Sequence, residues 1–294
     1  MSETTTIGSR VMDCIKVWPQ YLIPQHSLSK LMYWLTRIQF KPWKNLLIKQ
    51  VVNHYNVELN QAERECAEEY VSFNDFFTRH LKQSARTWNL NKSSILSPVD
   101  GAISQIGKLD ANDIIQAKGK TYTLDTLLAN DTDSIAKLSN GYFTTLYLSP
   151  RDYHRIHMPV RGKLIKSIYV PGDLFAVNNA TVRNVDNLFA RNERFISIFE
   201  TDLGLMAQIM VGAIFVGSME TVWLGQITPP YTRQLIIKEY KDKPVILEQG
   251  QEFGHFNMGS TVILMFEKDK LNWLDKFKAG DAIEVGQELG KVNS

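Results

Sequence analysis

The sequence predicts an α+β chain, helical to about residue 90 and β-rich and sandwich-like over 91–294. Three observations carry this: two amphipathic helical stretches near the N-terminus, the fading of helical periodicity from about residue 97, and short β-type runs punctuated by Gly, Pro and Asn/Asp. The first helix is expected over 27–39, with Ser27 or Ser29 as its N-cap, and the second over 43–55. In the second, Leu46, Leu47, Val51 and His54 or Tyr55 fall near one face. The acidic stretch 60–70 is expected to be helical, and Asn74 to cap a further helix over 75–82 with Phe76 and Phe77 near its start. Strands are expected over 141–148, 163–170, 195–199, 205–211, 233–238 and 261–266. The turn Thr201-Asp202-Leu203-Gly204 would join two of them as a hairpin. No tandem repeat has a fixed period, although Pro171-Gly172-Asp173-Leu174 and Ala279-Gly280-Asp281-Ala282 echo each other as Gly-Asp turns.

Composition excludes more than it names. With 294 residues, 44% hydrophobic and 22% charged, the chain is an ordinary globular protein, long enough to bury a core without disulfide or metal staples. Cys14 and Cys66 make neither a disulfide framework nor a metal-ligand spacing, which points to a reducing compartment. A net charge of +2 argues against nucleic-acid binding through bulk charge. The charge is unevenly spread. From Lys16 to Val57 there are six basic side chains (Lys16, Lys30, Arg37, Lys41, Lys44, Lys49), no acid, and three of the six tryptophans, Trp18, Trp34 and Trp43. Indole and lysine on an amphipathic helix suit the interface of an anionic membrane; the same pattern also suits a helical subdomain packing its aromatics on the rest of the chain. The longest promising uncharged stretch, 203–219, is too short and too broken by Gly204, Gln208, Gly212, Gly217 and Ser218 to span a bilayer. The first residues lack the pattern of a secretory leader.

Four positions can carry chemistry. His154 and His157 lie three apart between Pro150 and Pro159, so a turn or short helical piece is expected there, suited to acid–base work near neutral pH or to metal ligation. A metal would need further ligands, and the cysteines lie in an unrelated region. Asp100, in Ser97-Pro98-Val99-Asp100-Gly101, sits in turn chemistry that can hold a carboxylate at the mouth of a strand. Ser260 follows Gly259 just before the apolar run Val262-Ile263-Leu264-Met265-Phe266, and glycine there permits a close or strained backbone approach. Asp, His and Ser from separate parts of the chain can form a nucleophilic triad, and chain order does not test this. The C-terminal 280–290 looks like the hairpins of biotinyl- and lipoyl-carrier domains but lacks their lysine hairpin, so the echo reads as architecture.

Taken together, several segments resemble the phosphatidylserine decarboxylase proenzyme family. They are Phe76-Phe77-Thr78-Arg79, Ser97-Pro98-Val99-Asp100-Gly101, Tyr153-His154-Arg155-Ile156-His157-Met158-Pro159, Gly172-Asp173-Leu174-Phe175-Ala176-Val177-Asn178, Leu188-Phe189-Ala190-Arg191-Asn192-Glu193-Arg194, Val211-Gly212-Ala213 with Val216-Gly217-Ser218, and Gly259-Ser260-Thr261. The likeness runs from about residue 70 to the C-terminus and is looser before it. Met258 stands where bacterial members usually have leucine, a change of small expected effect.

The resemblance implies a self-processing, pyruvoyl-dependent enzyme. Asp100, His157 and Ser260 would cleave the Gly259–Ser260 bond, with His157 taking the hydroxyl proton, to give a β chain 1–259 and an α chain 260–294 held as a heterodimer or higher oligomer. Ser260 would become the pyruvoyl cofactor, which forms a Schiff base with the amine of phosphatidylserine and acts as an electron sink for loss of CO2. His154 would assist decarboxylation or the protonation step. No metal and no nucleic acid are implied, and the enzyme would lie peripherally on the cytoplasmic side of the cell membrane. Two other classes stay open on the residues alone. A serine hydrolase would use Asp100, His157 and Ser260 without self-cleavage, and a carrier or membrane-binding module would do no chemistry.

Overall fold

The computed structural model describes residues 13, 17–117, 119–215 and 218–293. Cys14, Lys16, the Val216-Gly217 pair and the first twelve residues, on which the leader reading rests, lie outside them. The chain is α+β and β-rich. Its frame is an antiparallel sheet in the order Ile236–Glu239, Gly162–Val170, Arg194–Thr201, Gly204–Val211, Thr261–Phe266, Tyr142–Tyr147, Gly101–Lys108, Ala282–Ile283, with Val245–Leu247 also pairing Gly162–Val170. The centre is Thr261–Phe266, whose six residues are all buried and paired on both sides. A strand covered on both faces reads as a continuous apolar run, as this one does.

Three smaller sheets complete the β structure: Gly225–Thr228, Met219–Thr221, Glu252–Phe256 and Arg155–His157; Ser94–Leu96, Glu288–Val292 and Leu271–Trp273; and the pair Asp113–Ala117 and Lys120–Thr123. The 201–204 hairpin forms as expected, with Thr201 opposite Gly204. The C-terminal strands Ala282–Ile283 and Glu288–Val292 do not pair with each other as a carrier hairpin would; they join different sheets.

The two N-terminal helices run Gln25–Thr36 and Lys41–Tyr55, the second with proline in its first turn and Asn56 in the left-handed conformation at its end. The helix expected over 60–70 is absent, leaving single 3-10 turns at Leu59–Gln61 and Ala67–Glu69. Its backbone is satisfied elsewhere: Lys82 N–H donates to Gln61 O and Glu63 N–H to His80 O, around an Ala62–Leu81 bridge. That pairing also ends the next helix early. It spans Phe73–Phe77 and is capped by Ser72, not Asn74, through a 3.1 Å bond from Asp75 N–H.

A second small core of Ile48, Val57, Ala67, Tyr70, Phe73, Phe76 and Phe77 takes Met258 against it, so the helical segment reaches the Gly259–Ser260 region. No helix of the described residues is long and apolar enough to cross a membrane.

Candidate active site

Strand starts and turns, tied by hydrogen bonds between distant segments, bring the site residues to one end of the large sheet. Ser260 directly precedes Thr261–Phe266. Its carbonyl accepts from Leu148 N–H at 2.8 Å and its Oγ donates to Val211 O on the neighbouring strand. The preceding turn is fixed by Asn257, whose amide donates to Glu220 Oε1 at 2.9 Å and to Ser218 Oγ, and accepts from Asn74 Nδ2 at 2.8 Å. His154 and His157 lie on or beside the strand Arg155–His157, not in the turn or helical piece expected. Among the described residues Glu252–Phe256 is the one strand paired with it, and the flanking prolines stand outside it, as prolines at a sheet edge do. Asp100 ends the turn leading into Gly101–Lys108.

Hydrogen bonding assigns both imidazole tautomers. His154 Nδ1 lies 2.8 Å from Asp152 O and His157 Nδ1 lies 2.8 Å from Gly250 O. A carbonyl only accepts, so each Nδ1 carries the proton and each Nε2 holds a lone pair. On His157 that lone pair accepts from Tyr153 Oη at 3.1 Å. On His154 it is buried without a partner among the described residues. The ring of His154 packs 4.2 Å from Phe77, and a Cβ built on Gly259 would collide with its Nε2. The free base therefore faces the residue before Ser260. Burial, with the buried Arg79 guanidinium adding to it, pushes His154 down to about 3, so it is neutral at physiological pH. Burial also lowers His157.

Asp100 is buried and paired with Arg86, which donates from Nε at 3.0 Å and again from Nη2, and it accepts from Val285 N–H at 2.8 Å. Among the described residues no hydrogen bond links Asp100 to His157 or His157 to Ser260. The four positions share one region, with His157 N–H bonded to Pro98 O two residues before Asp100, and His154 is the histidine whose ring stands nearest Gly259. Arg86 and Tyr153 were not singled out by the sequence. Tyr153 stands inside the histidine motif and could have been found there; Arg86 has no motif around it. No cluster of three or more metal-ligating side chains exists among the described residues.

Comparison with known proteins follows the same residues. A family model described as phosphatidylserine decarboxylase matches residues 73–291, and a second, described as PSD, matches 15–56. The chain is 46% identical over 288 residues to a phosphatidylserine decarboxylase proenzyme of Nitrosococcus oceani, covering 98% of this chain and 94% of that protein. It is 46% identical over 281 residues to one from Alcanivorax borkumensis, covering 95% and 96%. A third, from Methylococcus capsulatus, is 46% identical over 272 residues, covering 92% and 94%.

Proposed function

Because the chain belongs to the phosphatidylserine decarboxylase family and decarboxylates phosphatidylserine, we propose that it is made as a precursor that cuts its own Gly259–Ser260 bond. The serine-hydrolase alternative is not favoured by that membership. The observation that carries the reading is the free Nε2 of His154 against Gly259, with the Ser260 hydroxyl held beside it at the start of a buried strand. In this scheme Ser260 Oγ leaves its bond to Val211 O and attacks the carbonyl of Gly259. His157 takes the hydroxyl proton once Tyr153 gives up its bond to Nε2, and Asp100 supports it by replacing Gly250 O at Nδ1 during the cut. Burial keeps His157 in the neutral form that can accept a proton, and the charge it then gains has to be stabilised there.

A pyruvoyl group derived from Ser260 supplies the electron sink that no coded side chain offers. The residues here fit such a group. Gly259 leaves no side chain over it, the strand Thr261–Phe266 fixes its position, and His154 offers an unpaired base next to it. His154 then assists loss of the carboxylate or the protonation step, its Nε2 being the atom on which a proton taken up from solvent would be held. The position of its free Nε2 also favours a second reading, in which His154 takes the Ser260 proton during the cut. The exposed Trp18, Leu22, Trp34 and Phe40 suit a peripheral seat on the cytoplasmic face of the cell membrane, where the substrate resides.

Denaturing mass spectrometry tests the scheme. Wild type should give two chains divided at 259/260, the shorter blocked by a borohydride-reducible carbonyl. Ser260→Ala should give one uncut, inactive chain. A fully active preparation containing only uncut chain would sink the proposal. Changing Asp100 or His157 should block or greatly slow cutting, while His154→Ala should cut normally and decarboxylate poorly. If His154→Ala instead stays uncut while His157→Ala cuts, the second reading holds.

A further inference from the structure

Glu193 is a buried acid that neither cleavage nor decarboxylation as described above uses. It is 2% exposed, and its Oε2 accepts from Tyr169 Oη at 2.8 Å. Among the described residues its only ion-pair neighbour is the half-exposed His26, with Nε2 3.9 Å from Oε2. Tyr231 also faces it. Burial pushes Glu193 up to about 7, partly offset by the Tyr169 bond. A buried carboxyl without a fixed cation costs stability, and such groups concentrate where a ligand brings the missing charge.

Strand register places this carboxyl relative to Ser260. Arg194, Val211 and Thr261 lie opposite one another across three adjacent strands. The next row outward is Glu193, Gly212 and Ser260, with Gly212 N–H donating to Glu193 O at 2.7 Å. Alternation turns this row to the opposite face from Arg194, whose guanidinium bonds Leu127 O and Thr126 O. It is the face of Phe195, which lies opposite Tyr169, the partner of Glu193. Glu193 and Ser260 thus share a face two strand spacings apart, roughly 10 Å between backbones. The residue between them has no side chain. The nearest atom that a Cβ on Gly212 would meet is Leu174 Cδ2, at 3.1 Å, the end of a flexible side chain. Asn192 fixes the row by donating to Phe175 O and Gly212 O, both at 2.8 Å.

We infer that Glu193 is a further catalytic residue of this enzyme: from the row beside Ser260, its carboxylate takes a proton from the ammonium of the substrate's serine head group. One N–H bond breaks, one carboxyl O–H bond forms, and the electron pair left on nitrogen becomes able to add to a carbonyl. The proton passes on to solvent, and His26 provides a half-exposed route to it. This rests on the pyruvoyl reading above.

The test follows capture of an amine rather than turnover. Wild type and the isosteric Glu193→Gln are first scored for cutting at 259/260. They are then incubated with micellar phosphatidylethanolamine and cyanoborohydride, and the mass gain of the 260–294 chain is timed across pH. Glu193→Gln should cut as wild type but capture the amine at least about tenfold more slowly near pH 7, with the gap closing as pH approaches the amine's own pKa. Equal rates at every pH, or one constant ratio, would overturn the inference. Should Glu193→Gln not cut, Tyr169→Phe decides the matter. Loss of its bond raises the Glu193 pKa, so the acidic limb of capture should move to higher pH; an unmoved limb counts against a role for Glu193. If wild type itself is neither cut nor able to capture amine, the pyruvoyl reading fails, which is a separate result.

Discussion

Gly259 is glycine because His154 occupies the space where a side chain would stand. Gly259→Ala should displace the imidazole or the turn, abolish or strongly slow cutting, and destabilise the precursor by about 1–3 kcal/mol, as overpacking does; cleavage on a denaturing gel and urea unfolding check both. Two buried groups also give the stability curve opposite slopes. His154 is held near 3 in the fold against an ordinary 6.5, so the unfolded chain binds its proton first and stability falls as pH drops from about 6.5 toward 3. Glu193 is held near 7 against an ordinary 4.5, so the unfolded chain loses its proton first and stability falls as pH rises from 4.5 to 7, by roughly 3 kcal/mol in all. Between 4.5 and 6.5 the two largely cancel. In the uncut Ser260→Ala background, adding Glu193→Gln should leave a stability that rises with pH across that window, as denaturant titrations at pH 5 and pH 7 would show; an unchanged slope would mean that Glu193 titrates normally. Sequence motifs put forward Asp100, His154, His157 and Ser260 as candidates, because each sits in a short pattern of turn or ring chemistry. They could not disclose Arg86 as the partner of Asp100, or the unused lone pair on His154, since both arise from contacts between distant segments.

The first two helices were legible from their apolar periodicity, to within about two or three residues at the ends. Residues 60–82 were not, because backbone pairing around Ala62 and Leu81 satisfies groups that local sequence leaves free for a helix. The same segment shows why charge alone misleads. Lys44 belongs to the acid-free basic stretch, yet it is 3% exposed and its ammonium donates to Ala67 O at 2.9 Å. Trp43 is half-buried, donating to Leu35 O at 3.0 Å. The most exposed large apolar side chains of this segment are Trp18 at 70% exposure, Leu22 at 86%, Trp34 at 64% and Phe40 at 66%. If these helices seat the enzyme on lipid, replacing the four by serine or glutamine should weaken binding to anionic vesicles by about tenfold or more. Cutting at 259/260 should be unchanged, because none of the four lies in the machinery proposed for it. Vesicle co-sedimentation beside a cleavage gel reads both, and unaltered sedimentation would assign the helices to packing alone.

The proposed cut would change what unfolding means for the whole molecule. The 35 residues from 260 to 294 supply the central strand of the large sheet, the short strand Ala282–Ile283 at its edge, and two of the three strands in the Ser94–Leu96 sheet. Val262, Ile263, Leu264, Met265 and Phe266 are fully buried, joined by Leu271, Ile283, Val285 and Leu289. At ~1.5–3 kcal/mol for each buried large apolar side chain, the short chain cannot leave without exposing the core of both pieces. The cut chains should therefore run as one species under native conditions and separate only in denaturant. Their unfolding is then a dissociation, so the midpoint should rise with protein concentration, while the uncut Ser260→Ala chain, a single polymer, should unfold at a midpoint independent of concentration if it is monomeric. Thermal melts of both forms over a hundredfold concentration range make the comparison. A short chain that elutes alone from native gel filtration, or a cut form whose midpoint ignores concentration while the chains separate on unfolding, would contradict this account of how the two pieces are held together.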